Sequence, residues 1–171
     1  NDDYPVHVWD IMASANRGMS YPLAYLRKAI TNWVDIETIT ESTTLRLDLQ
    51  SNKDGNQAFI LKSPLNDYEY FVVEYRKKDL AIDLLDRHIG GSGIIVYRVD
   101  TTVEGLSNHY GKTGVYVFRP QNGFATEQLK VYNAHLSQES GRTSIGSSNM
   151  NLGLKDGALT FTDGSNSGIV I

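Results

Sequence analysis

The chain has 171 residues, 40% of them hydrophobic and 21% charged, which is the composition of one globular domain, alone or with an appended segment. Its formal net charge is −4 and its longest basic run is Arg76-Lys77-Lys78, so no nucleic-acid partner is expected and the run is interpreted as a solvated strand end. The absence of cysteine excludes disulfides and thiolate metal sites, and no apolar stretch approaches the roughly 20 residues of a membrane span.

The first 35 residues contain an apolar cluster and one helical pattern. The cluster Val8-Trp9-Asp10-Ile11-Met12 lies in an otherwise irregular, polar stretch. Over residues 21–34, apolar side chains recur at three- and four-residue spacing, which predicts one amphipathic α-helix of about three turns. Ser20 is placed to cap this helix, and Pro22 is placed in its first turn. The apolar positions are Leu23, Leu26, Ile30 and Trp33.

After Asp35 the pattern becomes that of β-strands. The predicted strands are Thr44–Leu49, Ala58–Leu61, Tyr70–Arg76, Gly93–Val99, Val115–Arg119, Ala158–Thr162 and Gly168–Ile171. The third of these is apolar on both faces around Phe71 and Val73, which predicts a central strand. Dense turn signals without alternating helices favour an antiparallel arrangement. The predicted fold class is therefore mainly β, an antiparallel, jelly-roll-like β-sandwich preceded by one N-terminal α-helix.

Two glycines precede the Gly93–Val99 strand or begin it. Gly91 and Gly93 are expected to make a turn or bulge where a Cβ atom would obstruct the neighbouring backbone.

The four histidines, His7, His88, His109 and His135, lie far apart in the sequence, and no H-E-x-x-H motif is present. Helical zinc sites place two histidines four residues apart, so hydrogen-bonding or surface roles are favoured over metal ligation for each of these. A metal site assembled from distant strands is the alternative.

The acidic residues allow the hypothesis that the chain is a glycosidase, because two carboxylates facing each other across a sugar can hydrolyse its glycosidic bond. The candidates are Glu69, Glu74, Asp79, Asp83 and Asp86, and surface charge is the favoured interpretation. Calcium could find oxygen ligands in Asp54-Gly55-Asn56 and in Asp163-Gly164-Ser165-Asn166, although a turn explains both segments.

Several segments occur in an order that resembles a known family. The first is Trp9-Asp10-Ile11-Met12-Ala13-Ser14, followed by the predicted helix. Strand-like segments follow at residues 69–76, 91–99, 114–120 and 164–169. This order is similar to the region downstream of the zinc-binding helix in immune-inhibitor-A-type (immune inhibitor A-like) secreted metallopeptidases. In that family a W-D-I-M segment supplies the Met-turn beneath the metal, and a β-sandwich follows the catalytic domain.

The resemblance implies that Met12 matches the Met-turn methionine and that Trp9 and Asp10 have a structural, Met-turn-like role beside it. The family's zinc histidines and general-base glutamate lie upstream of this segment, so no catalytic residue and no metal ligand can be assigned here. Zinc is implied for the full-length parent protein, and the chain by itself is predicted to be inactive and to need no cofactor. Because it opens on Asn1-Asp2-Asp3 rather than Met, we expect a processed product or a fragment.

The predicted domains are residues 1–35, the tail of a metallopeptidase-like catalytic domain, and residues 36–171, the β-sandwich. The implied function is that of a non-catalytic C-terminal portion of a secreted bacterial zinc metallopeptidase, which supports the catalytic domain and helps to position a protein or glycan substrate. Its partner would be the upstream catalytic segment of the same extracellular protein. The alternative is an independent carbohydrate-binding or adhesive β-sandwich at the cell surface, which the ten tyrosines allow.

Overall fold

The computed structural model describes residues 4–13, 19–49, 54–78, 85–103, 108–109, 112–121, 123–146 and 157–171. A 3₁₀ turn covers His7–Trp9, α1 covers Ala24–Leu26 and continues as a π-helical turn over Arg27–Thr31, and α2 covers Glu127–Tyr132. The strands are β1 (Glu37–Ile39), β2 (Ala58–Leu61), β3 (Glu69–Arg76), β4 (Gly93–Asp100), β5 (Asn108–His109), β6 (Lys112–Thr113) and β7 (Val115–Val117).

One five-stranded sheet organises the molecule, in the order β1-β2-β3-β4-β7. The pairs β2–β3, β3–β4 and β4–β7 are antiparallel, whereas β1 runs parallel to β2. Strands β5 and β6 form a separate two-stranded sheet. The predicted mainly β class is confirmed, and the large sheet is mixed rather than wholly antiparallel.

Strand β3 occupies the centre of the sheet, as predicted. It pairs along its whole length with β4, from Glu69 opposite Asp100 to Arg76 opposite Gly93. Phe71 and Val73 lie in one apolar cluster and Val72 lies in another, because successive side chains of a strand point to opposite faces. Both faces of this strand are therefore covered by other parts of the chain.

One face of the five-stranded sheet, called the helix face below, packs against the N-terminal segment and α2. Here Val72, Ile95 and Tyr97 share a core with Trp9 and Leu23. Val34 and Val131 belong to the same cluster. The predicted boundary between residues 35 and 36 stays a prediction, and the described residues on its two sides share this core.

The opposite face of the sheet, called the C-terminal face below because C-terminal segments pack on it, is covered mostly by irregular chain. Phe71, Val96 and Phe118 pack there against Leu159 and Phe161. Ile145 and Ile171 exchange backbone hydrogen bonds of 2.8 and 2.7 Å, and Thr160 forms an isolated antiparallel bridge with Asn166. Within the described ranges these contacts do not build the second large sheet that the predicted jelly-roll-like sandwich requires, and residues 158–162 and 168–171 form no regular strand.

The predicted helix over residues 21–34 is shorter and differently built. Its α-helical part is Ala24–Leu26, the following turn is π-helical, and Asn32 ends it in the left-handed region at φ 52°. Leu23 is fully buried, whereas Ile30 and Trp33 are each 72% exposed. The wider π turn changes the phase of the helix, so the predicted apolar stripe does not stay on one face. Ser20 does not cap the helix, since its hydroxyl donates to the Val8 carbonyl.

The alternating segment Thr44–Leu49 was expected to be a strand, but residues 42–49 form no ladder in the described structure. Leu45 and Leu47 still pack against the C-terminal face, and Arg46 between them is exposed. The alternation therefore reports which side chains are buried rather than strand pairing.

The expected obstruction of neighbouring backbone is confirmed at Gly93, whereas at Gly91 the obstructing group is the His135 side chain. A Cβ atom on Gly93 would lie 2.3 Å from the Leu136 carbonyl oxygen, and one on Gly91 would lie 2.4 Å from Nε2 of His135. The segment after α2 crosses β4 at this point, where Ile94 bridges Leu136. Helix α2 itself was not predicted. Among the described residues no helix is long and apolar enough to cross a membrane.

Candidate functional site: the Asp10–Ala13 turn and its buried anchor

Residues Asp10–Ala13 form a tight turn directly after the 3₁₀ turn. The Ala13 amide donates to the Asp10 carbonyl at 3.0 Å, and the Met12 amide donates to Oδ1 of Asp10 at 2.8 Å. An aspartate that accepts from the backbone two residues later stabilises a turn of this kind. The turn is therefore fixed by Asp10 from within.

The sequence-predicted Met-turn residues lie in three different environments. Trp9 is fully buried, Asp10 is 3% exposed and Met12 is 79% exposed. The Trp9 indole donates to the Val131 carbonyl at 2.6 Å, and its ring lies 6.2 Å from that of His135. The turn thus has a buried base and an exposed apolar tip at Met12. Its Met-turn role stays a prediction.

A buried ionic anchor, consisting of Asp10, Glu74, Arg76, Asp86 and Tyr97, holds this turn to the sheet. Arg76 is at its centre and is fully buried, so the predicted solvated strand end is wrong for this residue. Its Nε donates to Asp86 at 2.7 Å, and one of its terminal nitrogens donates to the other Asp86 oxygen. A bidentate guanidinium–carboxylate pair is among the strongest polar contacts in proteins.

The remaining Arg76 donors reach two other parts of the chain. Nη1 donates to Oε1 of Glu74 and to the Trp9 carbonyl, both at 2.9 Å, and Nη2 donates to the Tyr21 carbonyl at 3.1 Å. All five guanidinium N–H groups therefore have acceptors. One side chain of the central strand thus ties together the 3₁₀ turn, the start of the helical region and the Asp86 turn.

The first amides of the helical region are satisfied by the same anchor. Leu23 donates to Oδ2 of Asp10 at 3.2 Å, Ala24 donates to Oε2 of Glu74 at 2.7 Å, and Tyr25 donates to the Tyr97 hydroxyl at 3.2 Å. The first amides of any helix lack partners within the helix. Negative side chains are favoured at that end, so the buried anchor supplies the cap that Ser20 does not.

Burial shapes the electrostatics of the anchor. Desolvation raises the pKa of the Asp10 carboxyl, although the hydrogen bonds from Met12 and Leu23 oppose this. Desolvation and the nearby Glu74 carboxylate raise the pKa of the Tyr97 hydroxyl. For Arg76, desolvation disfavours the charge, but Asp86 and Glu74 outweigh it and raise the pKa of the guanidinium. Arg76 is consequently a permanent buried cation.

The acidic residues considered for glycoside hydrolysis are engaged elsewhere. Glu69 and Glu74 are an odd number of residues apart on β3, so they point to opposite faces of the sheet and cannot face one sugar. Glu69 accepts from the Thr162 amide and pairs with Arg98 at 3.3 Å, whereas Glu74 and Asp86 bind Arg76. Asp79 and Asp83 lie outside the described residues.

The two segments considered for calcium are turns, of which 163–166 has internal hydrogen bonds and 54–56 is bonded to Asp48. Oδ1 of Asp163 accepts from the amide and the hydroxyl of Ser165, at 2.8 and 2.6 Å. The amide of Asn56 donates to Asp48 at 3.2 Å. In the part of the chain that the structure describes, no three His, Asp or Glu side chains come close enough to hold a metal ion.

The structure brings two of the separated histidines to one place. His7 and His88 line the same cleft, together with Gln128, Leu129 and Tyr132 of α2. His135 is 6% exposed and lies on Trp9 instead. His109 is in the small two-stranded sheet.

Sequence reasoning missed the anchor, although β3 carries one signal of it. Glu74 and Arg76 are two residues apart in an apolar strand and therefore share the helix face. Charged side chains on the buried face of a central strand are rarely tolerated without partners, so this pair indicated an internal ion pair. Nothing in the sequence identifies Asp86 as the third partner.

No protein-family model, curated protein or solved structure matches this chain. The likeness to immune-inhibitor-A-type metallopeptidases therefore rests on the sequence segments alone.

Proposed function

We propose that this chain is a non-catalytic C-terminal portion of a secreted zinc metallopeptidase, in which the sheet and the buried anchor hold the Asp10–Ala13 turn beneath an upstream catalytic segment. One observation carries the proposal. The turn is fastened by Trp9, Asp10 and Arg76, all buried, yet it presents the apolar side chain of Met12 at 79% exposure. A rigidly held turn with an apolar tip is suited to be covered by another part of the protein.

The energy of that contact is appreciable. Burying a methionine side chain contributes about 1.5–3 kcal/mol, so an upstream segment that covers Met12 would gain a measurable stabilisation. In this proposal zinc and its ligands belong to the upstream segment, and this chain contributes position only. Its own residues hold the turn, cap the helical region and keep water away from the base of the turn.

Methionine oxidation tests whether Met12 is covered. Limited hydrogen peroxide treatment followed by mass spectrometry should oxidise both Met12 and the 57% exposed Met19 in the chain alone. In a longer protein that includes the region encoded upstream of Asn1, Met12 should be protected and Met19 should serve as the internal reference. Equal oxidation of Met12 in both proteins, or an upstream region without H-E-x-x-H, would count against the proposal.

Activity gives a second test of the same proposal. The purified chain should neither hydrolyse a fluorogenic protein substrate nor retain zinc after dialysis, because the family's ligands are implied to lie upstream. Stoichiometric zinc together with chelator-sensitive proteolysis by this chain would contradict that expectation.

For the fold we propose the sandwich in a reduced form, with the C-terminal segments acting as its second layer. The support is the apolar cluster beneath them and the two antiparallel contacts, Ile145 with Ile171 and Thr160 with Asn166. Amide hydrogen exchange would show protection at Ile145 and Ile171 comparable to that of β4 if this layer is part of the cooperative core. Unprotected amides at Ile145 and Ile171 would indicate that the C-terminal segments do not form a second layer.

The alternative, a carbohydrate-binding or adhesive module, is favoured by two exposed aromatic side chains. Trp33 is 72% exposed and Tyr68 is 65% exposed, and such rings offer apolar faces with polar edges. A glycan array with the wild-type chain and with Trp33→Ala and Tyr68→Ala separates this function from the first. Saturable glycan binding that either substitution abolishes would support the module.

A further inference from the structure

A polar cleft lies between the N-terminal segment, the turn after Asp86 and α2. Its volume is about 360 Å³, and it is lined by His7, His88, Gln128, Leu129 and Tyr132. Sites for small molecules start at about 300 Å³. None of the lining residues belongs to the buried anchor, so the cleft has no part in holding the Asp10–Ala13 turn.

His7 is held in this cleft by an unusual backbone. Its φ is 51°, a left-handed conformation that few residues other than glycine adopt. The side chain is nearly buried, and its Nε2 lies 2.9 Å from the Gln128 amide nitrogen. The Pro5 carbonyl just before it accepts from the Val117 amide and from Arg119, both at 2.9 Å. Strained backbone persists where the surroundings fix it, and such positions are common at ligand sites.

The other two walls of the cleft, formed by the turn after Asp86 and by α2, are also held in place. His88 follows Asp86, a second non-glycine residue with a left-handed backbone, at φ 61°, and the Asp86 carboxylate is bound by Arg76. Gln128 and Tyr132 are four residues apart and therefore lie on the same side of α2. The Thr126 hydroxyl caps this helix by accepting from the Leu129 amide. Three separately anchored elements thus converge on one small space.

The described lining of the cleft carries hydrogen-bond donors and no acid. It offers imidazole, amide and phenol groups, and outside this lining the Lys78 ammonium lies 3.5 Å from the Tyr132 hydroxyl. The neighbouring acid on α2, Glu127, is paired with Lys130 at 2.6 Å. An anionic group in the cleft would therefore meet N–H and O–H donors without facing a carboxylate of the lining.

We propose that this cleft binds a small ligand that carries a carboxylate, with His88 and Tyr132 as its polar contacts, Leu129 against its apolar part and the Lys78 ammonium next to Tyr132. A metal ion is the less favoured occupant, because Nε2 of His7 already contacts Gln128. In addition, no group of three ligating side chains occurs within the described ranges. This proposal concerns the chain itself and does not depend on an upstream catalytic segment.

Succinate is a suitable probe for this site. Titration of the isotope-labelled chain, followed by nuclear magnetic resonance, should give saturable shifts confined to residues around His7, His88 and α2. Because a hydrogen bond to a charged group contributes roughly 10- to 150-fold in affinity, His88→Ala and Tyr132→Phe should each weaken binding about tenfold or more. Arg87→Ala is the matched control, since this neighbouring exposed cation does not line the cleft.

Parallel titrations with N-acetylglucosamine and with zinc chloride distinguish the other ligand classes. Saturation by succinate that depends on His88 and Tyr132 but not on Arg87 supports the proposal. It is overturned by shifts spread over the whole surface, by an equal loss in Arg87→Ala, or by saturation of the cleft with the sugar or with zinc but not with succinate.

Discussion

Arg76 connects more of the molecule than any other single side chain described above. Its donors reach Trp9 and Tyr21 in the N-terminal segment and Glu74 and Asp86 close to it in the sequence. Burying such a group costs several kcal/mol of desolvation, and the contacts roughly repay it. The ion pairs are therefore a device for fixing geometry more than a source of net stability.

Replacing Arg76 by methionine should be severely destabilising. The substitution keeps most of the volume but leaves the Glu74 and Asp86 carboxylates buried without their cation, which typically costs about 3–5 kcal/mol. Urea unfolding monitored by circular dichroism measures the loss in the free energy of unfolding. Arg46→Met is the matched control, because the Arg46 side chain is 91% exposed, and it should change stability by less than about 0.5 kcal/mol. Similar losses in the free energy of unfolding for both variants would contradict the role assigned to Arg76 in the buried anchor.

The environment of His135 predicts that the free energy of unfolding decreases in acid. Desolvation and then the positive charge of Arg142 lower its pKa, as does Lys78, while Glu139 opposes them. Nδ1 of His135 is buried and has no hydrogen-bond partner in the described parts of the chain. Because the pKa is lower in the folded than in the unfolded chain, the unfolded chain takes up the proton first as the pH falls. Stability is then lost from about pH 6.5 downwards, until the folded-state pKa is passed.

The measurement is the free energy of unfolding at a series of pH values between 5 and 8, for which His135→Gln should flatten the slope. The wild-type chain measured at the same pH values is the reference. An unaltered slope in His135→Gln would show that other groups cause the acid sensitivity.

At the scale of elements, apolar periodicity predicted the strands whose two faces are both covered. Strands β2, β3 and β4 are of this kind, since their hydrophobic runs fit a central position in a sheet. Segment 44–49 instead alternates apolar and polar residues and has only one face against the core, and no backbone ladder follows from that pattern. Helix α2 was missed because six residues, Glu127–Tyr132, are too few to show a helical period.

The π turn at Arg27–Thr31 explains why the helix prediction failed in phase. Side-chain spacing fixes which residues share a face only when each turn has the same number of residues. Arg27 is buried at this turn and donates to Gln57 and to the Pro22 carbonyl. That polar contact, rather than the stripe of Ile30 and Trp33, holds the middle of the segment.

Gly93 should be irreplaceable for steric reasons. An alanine Cβ there would meet the Leu136 carbonyl at 2.3 Å, and the crossing segment would have to move, which costs about 3 kcal/mol or more. Gly164→Ala is the informative comparison, because Gly164 has open space but a φ of +86° and should lose only about 1–2 kcal/mol. Thermal unfolding of both variants ranks the two losses, and a smaller loss at Gly93 would contradict the close approach.

At the scale of the whole molecule, the helix face makes the N-terminal segment part of the sheet's core. Trp9, Leu23 and Val34 pack with Val72 and Tyr97 in one cluster. From the sequence, no member of the buried anchor other than Glu74 and Arg76 could be identified, because a contact such as that between Arg76 and Asp86 depends on how the chain folds back. The sequence shows that Trp9, Asp10 and Met12 share one short segment. It does not show that Trp9 and Asp10 are buried while Met12 is exposed.

A chain lacking residues 1–35 should therefore fail to unfold cooperatively, because the sheet would expose Val72 and Tyr97 and would keep Arg76 with fewer acceptors. Chemical denaturation of the shortened chain beside the full one measures this. Trp9→Ala in the full chain is the milder variant, with an expected loss of about 3–5 kcal/mol. A shortened chain with a sharp transition would support the boundary between residues 35 and 36 as a true domain limit.

The bond from the Trp9 indole to the Val131 carbonyl spans 122 residues of sequence, and this separation has a consequence during protein synthesis. A ribosome adds about 5–20 residues per second, so roughly 6–25 s pass between the appearance of the two partners. The Asp10–Ala13 turn is made before the sheet and α2 but can be locked only after both have been made. Any segment that rests on this turn would therefore become ordered only after Val131 has been added.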